Sequence, residues 1–230
     1  MARFVVGFAL GDFGLISNFA NPNALSPVEQ TTTVDRYEDP EGDGFAFLGT
    51  GFTYAGLIPL GGTITAVDVY NAAGDPLLTI TGLSASLAQT YQILSLAGLE
   101  AAFFLLTSGN DTFVGSQNRD FLESGLGNDT IRGNGGADIL HGSKGRDVMF
   151  GGAGPDDFVF ARGDGRDRIR DFQDTNLPSD DQIVLTRTMY FSMTRTQTLT
   201  GVELDFGTRG TLIVDGWQLA EINRGDFILT

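Results

Sequence analysis

The sequence contains no cysteine in its 230 residues, so a disulfide framework, thiol redox chemistry and a thiolate nucleophile are all excluded. It has one histidine, His141. That removes the H-E-x-x-H zinc site of a metalloprotease, which needs two histidines on one helix face. A G-x-S-x-G nucleophile elbow is also missing, since Gly82-Leu-Ser-Ala-Ser86 lacks the final glycine. Basic side chains are scarce, 14 lysines and arginines against 29 aspartates and glutamates, for a formal charge of −15. This balance argues against nucleic acid or an anionic membrane as partner and in favour of bound cations. Long apolar runs are absent too. Residues Phe4 to Ile16 have the texture of an export signal, but Asp12 interrupts them, only Arg3 precedes them and no clean small-x-small site follows. A cleaved signal peptide is not expected, and the run is too short and too broken by glycine to span a membrane.

What the sequence does contain is a period. Asp111, Asp120, Asp129, Asp138, Asp147 and Asp156 recur every nine residues without a slip. Two residues after each stands an apolar side chain: Phe113, Leu122, Ile131, Leu140, Met149 and Phe158. Two residues before each stands Gly109, Asn118, Gly127, Gly136, Gly145 or Gly154, residue types that tolerate a left-handed backbone. These are six copies of the pattern GGxGxDxUx.

The glycine-rich half of each unit can turn tightly, and the D-x-U half can form a short strand with its apolar residue inward. Consecutive units then lie on opposite sides of a flattened coil, and units two apart stack. That stacking sets Asp111 beside Asp129 and Asp147 on one edge, and Asp120 beside Asp138 and Asp156 on the other. Neighbouring strands lie about 4.7–4.9 Å apart, so the carboxylates would repel strongly with nothing between them. Calcium takes 6–8 oxygen ligands at about 2.3–2.6 Å, and two aspartates plus turn carbonyls can supply them. Folding of such a coil is expected to depend on calcium, because the site does not exist in the unfolded chain. The first two units depart most from the pattern, with Thr107 and Ser108 for the leading glycine pair and Asn118 for a turn glycine.

Outside the repeat the texture changes. Arg3 to Leu10 and Gly14 to Phe19 are expected as strands, and the polar, proline-bearing stretch from Asn21 to Thr33 as a loop. The alternation from Thr63 to Tyr70, the turn Asn71 to Pro76 and the segment Leu77 to Thr81 predict a hairpin. Asp39-Pro-Glu-Gly-Asp-Gly44 starts like an EF-hand loop, but Thr50 stands where the closing glutamate belongs, so it is read as a solvated turn. From Ser84 to Leu106 apolar residues recur mainly at three and four, which predicts one amphipathic helix, or two broken near Gly98, capping the open end of the coil. Beyond Phe158 the period decays. Strands are expected at Asp180 to Leu185, Thr188 to Met193, Val202 to Phe206 and Thr211 to Val214. His141, in the ninth position of its unit, is expected to face solvent.

The nonapeptides, together with GGAGPDDFVF at 151–160, DRIRDF at 167–172 and the GDFILT terminus, resemble the RTX (hemolysin-type) calcium-binding domain found at the C-terminal ends of serralysin-type proteases, lipases and alginate epimerases. The resemblance covers residues 107–230. It implies a right-handed parallel β-roll (107–160) and a β-rich C-terminal cap carrying a secretion signal (161–230); with the N-terminal β unit (1–83) and capping helix region (84–106) read from the residues above, an all-β dominated chain is expected. It also implies that the six repeat aspartates bind Ca2+, with carbonyls of the turns at Gly109, Asn118, Gly127, Gly136, Gly145 and Gly154 completing each site. Pairing Asp111 with Asp129, Asp120 with Asp138, Asp129 with Asp147 and Asp138 with Asp156 gives about four ions or more. Asp167 and Asp171 are read equally well as a further site or as a solvated strand edge. The implied location is extracellular, reached through a type I exporter by an uncleaved C-terminal signal.

Two functional classes stand at this point. One is a binding or structural module holding a polysaccharide or surface ligand. The other is a polysaccharide-modifying enzyme or accessory with activity in residues 1–105, which hold no histidine or cysteine.

Overall fold

The computed structural model describes residues 26–38, 44–55, 58–97, 106–174 and 180–230. The strands expected at Arg3 to Leu10 and Gly14 to Phe19 lie outside these residues, as does most of the acidic turn that begins at Asp39. No helix among the described residues is long and apolar enough to cross a membrane. The chain divides into two compact units, the boundary falling between Thr112 and Phe113.

The first unit is an antiparallel sheet of β1 (Ser26–Gln30), β2 (Val34–Glu38), β3 (Gly44–Ala55), β4 (Ile58–Tyr70) and β5 (Pro76–Ser86), followed by helix α1 (Leu87–Ala97). The expected hairpin is β4–β5, joined at Asn71, whose side-chain oxygen accepts from Ala73 and Asp75 N–H. One face carries the core: Phe45, Phe47, Val67, Leu78 and Ile80 are all buried. Ile64 is fully buried as well, although it lies an odd three positions before Val67, because a bulge between Ile64 and Ala66 resets the alternation. Two expectations are corrected here. The stretch read as a loop includes β1, which admits Pro27 because, among the described residues, it pairs on one side only and is bulged between Pro27 and Glu29. The helix begins at Leu87, since Gly82 to Ser86 still extend β5, and the Ser86 hydroxyl accepts from Gln89 N–H at the helix start.

The second unit is the coil. One face stacks β6 (Thr112–Val114), β9 (Thr130–Gly135), β12 (Val148–Ala153) and β14 (Gly165–Ile169), and the other stacks β7 (Phe121–Glu123), β10 (Ile139–His141), β13 (Asp157–Val159) and β15 (Gln182–Leu185). Two-residue strands β8 (Leu126–Gly127) and β11 (Lys144–Gly145) pair along the turns. Neighbours are parallel and in the register that the period demands, Thr130 opposite Val148 and Ile139 opposite both Phe121 and Asp157. Units two apart therefore stack. The space between the faces is filled by Phe113, Ile131, Met149 and Ile169 from one side and by Leu122, Leu140, Phe158 and Ile183 from the other, every one buried. All strands turn a single apolar row inward, which is what one U position per nonapeptide can supply.

The C-terminal segment closes the second unit by continuing both faces. Strand β18 (Gly210–Asp215) lies parallel to β14 and then carries β17 (Gly201–Asp205) and β16 (Thr194–Gln197) antiparallel; β19 (Phe227–Leu229) lies parallel to β15. Trp217 packs between Phe172 (4.9 Å) and Phe227 (6.1 Å). The segment expected as a strand from Thr188 to Met193 is instead helix α2 (Arg187–Ser192), nucleated by Thr186, whose hydroxyl accepts from Met189 N–H.

Candidate metal centre

Each aspartate of the coil opens a D-x-U strand, so its backbone is fixed by the sheet before its side chain is considered. The carbonyls of Asp120, Asp129 and Asp138 accept from Ile139, Val148 and Asp157 N–H one turn on, each at 2.8 Å. The carboxylates then run back along the stack. Oδ1 of Asp138 accepts from Asp120 N–H (2.7 Å), Oδ1 of Asp147 from Asp129 N–H (2.7 Å) and Oδ1 of Asp156 from Asp138 N–H (2.9 Å). These are three of the expected neighbour pairs: Asp120 with Asp138, Asp129 with Asp147, Asp138 with Asp156.

Both ladders continue past the period. Asp147 N–H donates to Asp167 Oδ1 at 3.0 Å, and Asp156 N–H to Asp181 Oδ1 at 2.9 Å. The first is a spacing of 20 residues and the second of 25, against 18 within the repeat. Asp181 escapes a search for nine-residue spacing, yet Asp167-Arg-Ile169 and Asp181-Gln-Ile183 keep the D-x-U signature that could have found both. Asp171 does something different, accepting from Gly151 and Gly152 N–H at 2.9 and 3.1 Å. The first ladder stops at β18, where Leu212 stands opposite Asp167.

Burial is nearly complete: Asp120, Asp129, Asp138, Asp147, Asp156, Asp167 and Asp181 are each at most 3% exposed. Asp111, in the first unit, is equally buried at 2%. One oxygen of each interior carboxylate serves the ladder. The other, Oδ2 of Asp138, Asp147, Asp156 and Asp167, is buried and accepts no hydrogen bond. Charge in such a place is costly without a partner. Accordingly burial, only partly offset by the ladder bonds, pushes Asp156 up to about 6 and Asp138 up to about 7, the latter helped by the Asp156 and Asp120 charges. Asp120 rises to about 6 and Asp181 to about 7, again through burial. The adjacent Asp147 and Asp167 are both raised for the same reason, as is Asp111.

The turn glycines define where the second oxygen points. A methyl group on Gly133 would run into Asp138 Oδ2 and come within 2.6 Å of the Gly151 carbonyl; on Gly115 it would meet Asp120 Oδ2 at 2.5 Å and the Gly133 carbonyl at 2.9 Å. The same space holds Asp147 Oδ2, 2.6 Å from a methyl group on Gly142. Carboxylate oxygens and carbonyls thus face one small, side-chain-free volume at each turn, an oxygen-only donor set suited to a hard cation. Among the described residues no three His, Cys, Asp or Glu side chains gather as a metal cluster, so a cation here must draw on backbone carbonyls as well.

Left-handed backbone falls partly on other positions than expected. Gly127, Gly136 and Gly154 have positive φ, but Gly109, Asn118 and Gly145 do not. Four residues before the aspartates the left-handed conformation recurs at Gly125, Asn134, Ser143 and Gly152. At Gly145 the constraint is steric, since a side chain would collide with the Gly127 carbonyl of the preceding turn.

His141 is also corrected. It is 18% exposed and sits between Asp164 (Nε2 to Oδ2, 3.0 Å) and Glu123 (Nδ1 to Oε1, 3.4 Å). Burial alone would lower its pKa, but the bonds to those two carboxylates outweigh it and push it up to about 9.

Comparison with known families agrees with this geometry. Residues 106–140, 123–158 and 132–169 match the model of the RTX calcium-binding nonapeptide repeat. No curated protein matches the chain. Among solved structures, the AlgE6R3 subunit of the Azotobacter vinelandii mannuronan C5-epimerase is 23% identical over 53% of this chain and 78% of its own, with a TM-score of 0.40. The extracellular lipase LipA from Serratia marcescens is 18% identical over 91% of this chain and 31% of its own, with a TM-score of 0.33. Residues 106–169 are RTX calcium-binding nonapeptide repeats, and the β-roll is the fold they build.

Proposed function

We propose that the roll is a calcium-triggered folding module of a secreted protein. Asp111, Asp120, Asp129, Asp138, Asp147 and Asp156 serve as its ligands, extended past the period by Asp167 and Asp181. Carbonyls of the turns around Gly109, Asn118, Gly127, Gly136, Gly145 and Gly154 complete the sites. The observation that carries this reading is the row of buried, unbonded Oδ2 atoms at Asp138, Asp147, Asp156 and Asp167, of which the first three face the turn glycines Gly133, Gly142 and Gly151. Ions sandwiched between successive turns, including Asp111 with Asp129, would give four or more.

Without calcium, charged carboxylates one strand spacing apart oppose stacking and leave the repeats disordered, the state a type I exporter can pass. Outside the cell, millimolar calcium supplies the missing free energy, because it binds the folded chain and not the unfolded one. An uncleaved C-terminal signal fits this route, and the folded product serves as a binding or structural module at the cell surface or in the matrix.

The single tryptophan offers a direct test, because Trp217 is buried in the cap at the far end of the roll. Calcium added to chelator-treated protein should shift its emission to shorter wavelength in a cooperative step, with magnesium far less effective. Emission that ignores calcium, in a protein that binds none by calorimetry, would contradict the proposal.

A further inference from the structure

Strand β16 is the last strand of its sheet: among the described residues it pairs on one side only, with β17, and all four of its residues are exposed. Which backbone groups the free edge offers follows from the hairpin. Thr198 N–H donates to the Gly201 carbonyl at 2.8 Å. By antiparallel alternation Thr196 and Thr194 then turn their backbone groups to β17, and Arg195 and Gln197 turn theirs outward. The N–H and carbonyl of Arg195 and Gln197 make no hydrogen bond. The side chains of these two residues stand opposite Leu204 and Val202, which are fully buried, so they share the inner face. There the Arg195 guanidinium lies over the rings of Tyr190 (5.5 Å) and Phe227 (5.9 Å), and that of Arg224 lies 5.6 Å from Tyr190. These ring contacts hold Arg195 in place and consume none of its N–H donors. Phe191, in the last turn of α2 before β16, is 79% exposed.

Arg166, Arg168 and Arg170 are each ion-paired with Glu203 or Asp215. Around α2 the pattern differs. Arg187 opens the helix, Arg209 donates to Ser192 at its end, and Arg195 and Arg224 flank Tyr190. Among the described residues these arginines make no ion pair. In a chain with 29 acidic and 14 basic residues, a neighbourhood of unpaired guanidiniums is complementary to carboxylates from outside. An edge strand with a cation on its inner face rejects a strand that brings no counter-charge, and a second copy of β16 would bring only another arginine. A glycan or a lipid headgroup would use the arginines but not the backbone edge. We infer that β16 binds an extended acidic peptide as an added strand, its backbone on Arg195 and Gln197, a carboxylate on the Arg195 guanidinium and an apolar side chain two residues along against Phe191. Glu203 and Asp205 lie opposite Thr196 and Thr194 on the other face, so the alternate side chains of the peptide are uncharged.

The test uses the full chain in calcium, with the amidated, N-terminally labelled peptide Thr-Phe-Thr-Glu-Thr-Phe-Thr as probe and fluorescence anisotropy as readout. The peptide should bind saturably. Replacing its glutamate by glutamine, or Arg195→Gln in the protein, should each weaken binding about ten-fold, as expected for loss of a charge-assisted pair. Phe191→Ser should weaken it several-fold. N-methylation of the glutamate and both phenylalanines keeps the charge but removes the N–H groups that face β16, and should abolish binding. Both protein variants change exposed side chains, so the Trp217 response to calcium should stay as in the wild-type chain. Undiminished binding of the N-methylated peptide would reduce the arginines to a plain anion site and overturn the inference. Indifference to Arg195→Gln or to loss of the glutamate, or no binding by the wild-type chain, would overturn it too. A failure there leaves the calcium module standing, because Trp217 reports on that separately.

Discussion

Asp138→Asn is expected to yield a protein that folds more readily without calcium and needs at least about ten-fold more calcium to saturate. Asp138 is the interior member of its ladder: its Oδ1 accepts from Asp120 N–H, and its own N–H donates to Asp156 Oδ1. Asparagine preserves the acceptor and the shape, so the sheet is not disturbed. It removes one of the mutually repelling buried charges, which favours the metal-free roll. It also replaces the unbonded Oδ2 with an amide nitrogen, which cannot ligate calcium. Asp138→Ala should behave differently. The Asp120 N–H loses its partner inside the sheet, at a cost of about 1–3 kcal/mol, so stability falls with and without the metal. Thermal melts in chelator and in calcium, run on both variants, separate the two effects. An asparagine variant with wild-type calcium dependence would show that Asp138 is a sheet-capping residue and no ligand.

The pH dependence of the chelated protein should be equally pronounced and opposite in direction to that of most proteins. Asp120, Asp138, Asp156 and Asp181 have folded-state pKa values of about 6 to 7, raised by burial, against about 3.9 for an unperturbed aspartate. The folded state therefore binds these protons more tightly than the unfolded chain does. Their contribution to stability is fully present below about pH 4 and is lost as pH rises through 6 to 7, each carboxylate giving up on the order of 1.4 kcal/mol per pH unit on the way. His141 acts in the same sense at higher pH: its pKa, raised to about 9 by Asp164 and Glu123, stabilises the fold below the ordinary value near 6.5 and ceases to do so as pH passes 9. Chelated protein should thus show its greatest β signal near pH 4 and lose it by pH 8, where calcium restores it. A β signal that grows with pH in chelator would contradict the buried-carboxylate account.

The roll was legible because its cause is periodic. A nine-residue unit with one inward side chain can only stack at 18, and the pairs Asp120–Asp138 and Asp129–Asp147 follow from that arithmetic. What lay beyond the period was harder to see. Two and seven extra residues separate Asp167 and Asp181 from their strict positions, although the chain returns to the same ladder. Pattern and geometry part company there because loops can lengthen without moving the strand they deliver.

Elsewhere local signals were outvoted. Thr188 to Met193 has the β-branched and aromatic content of a strand, yet the Thr186 cap starts a helix that buries Met189. Pro27 suggested a loop, but β1, at the edge of the sheet among the described residues, has no need of every N–H. His141 was misjudged because its partners, Glu123 and Asp164, are 18 and 23 residues away and meet it only after the turns stack.

The measurement that bears most directly on the whole account is far-ultraviolet circular dichroism of chelator-treated protein titrated with calcium at pH 8. The expected result is a weak β signal at the start and its cooperative appearance as calcium is added, reversed by chelator. A β signal already complete in chelator and unchanged by calcium would make the carboxylate ladders a metal-free scaffold and contradict the central claim.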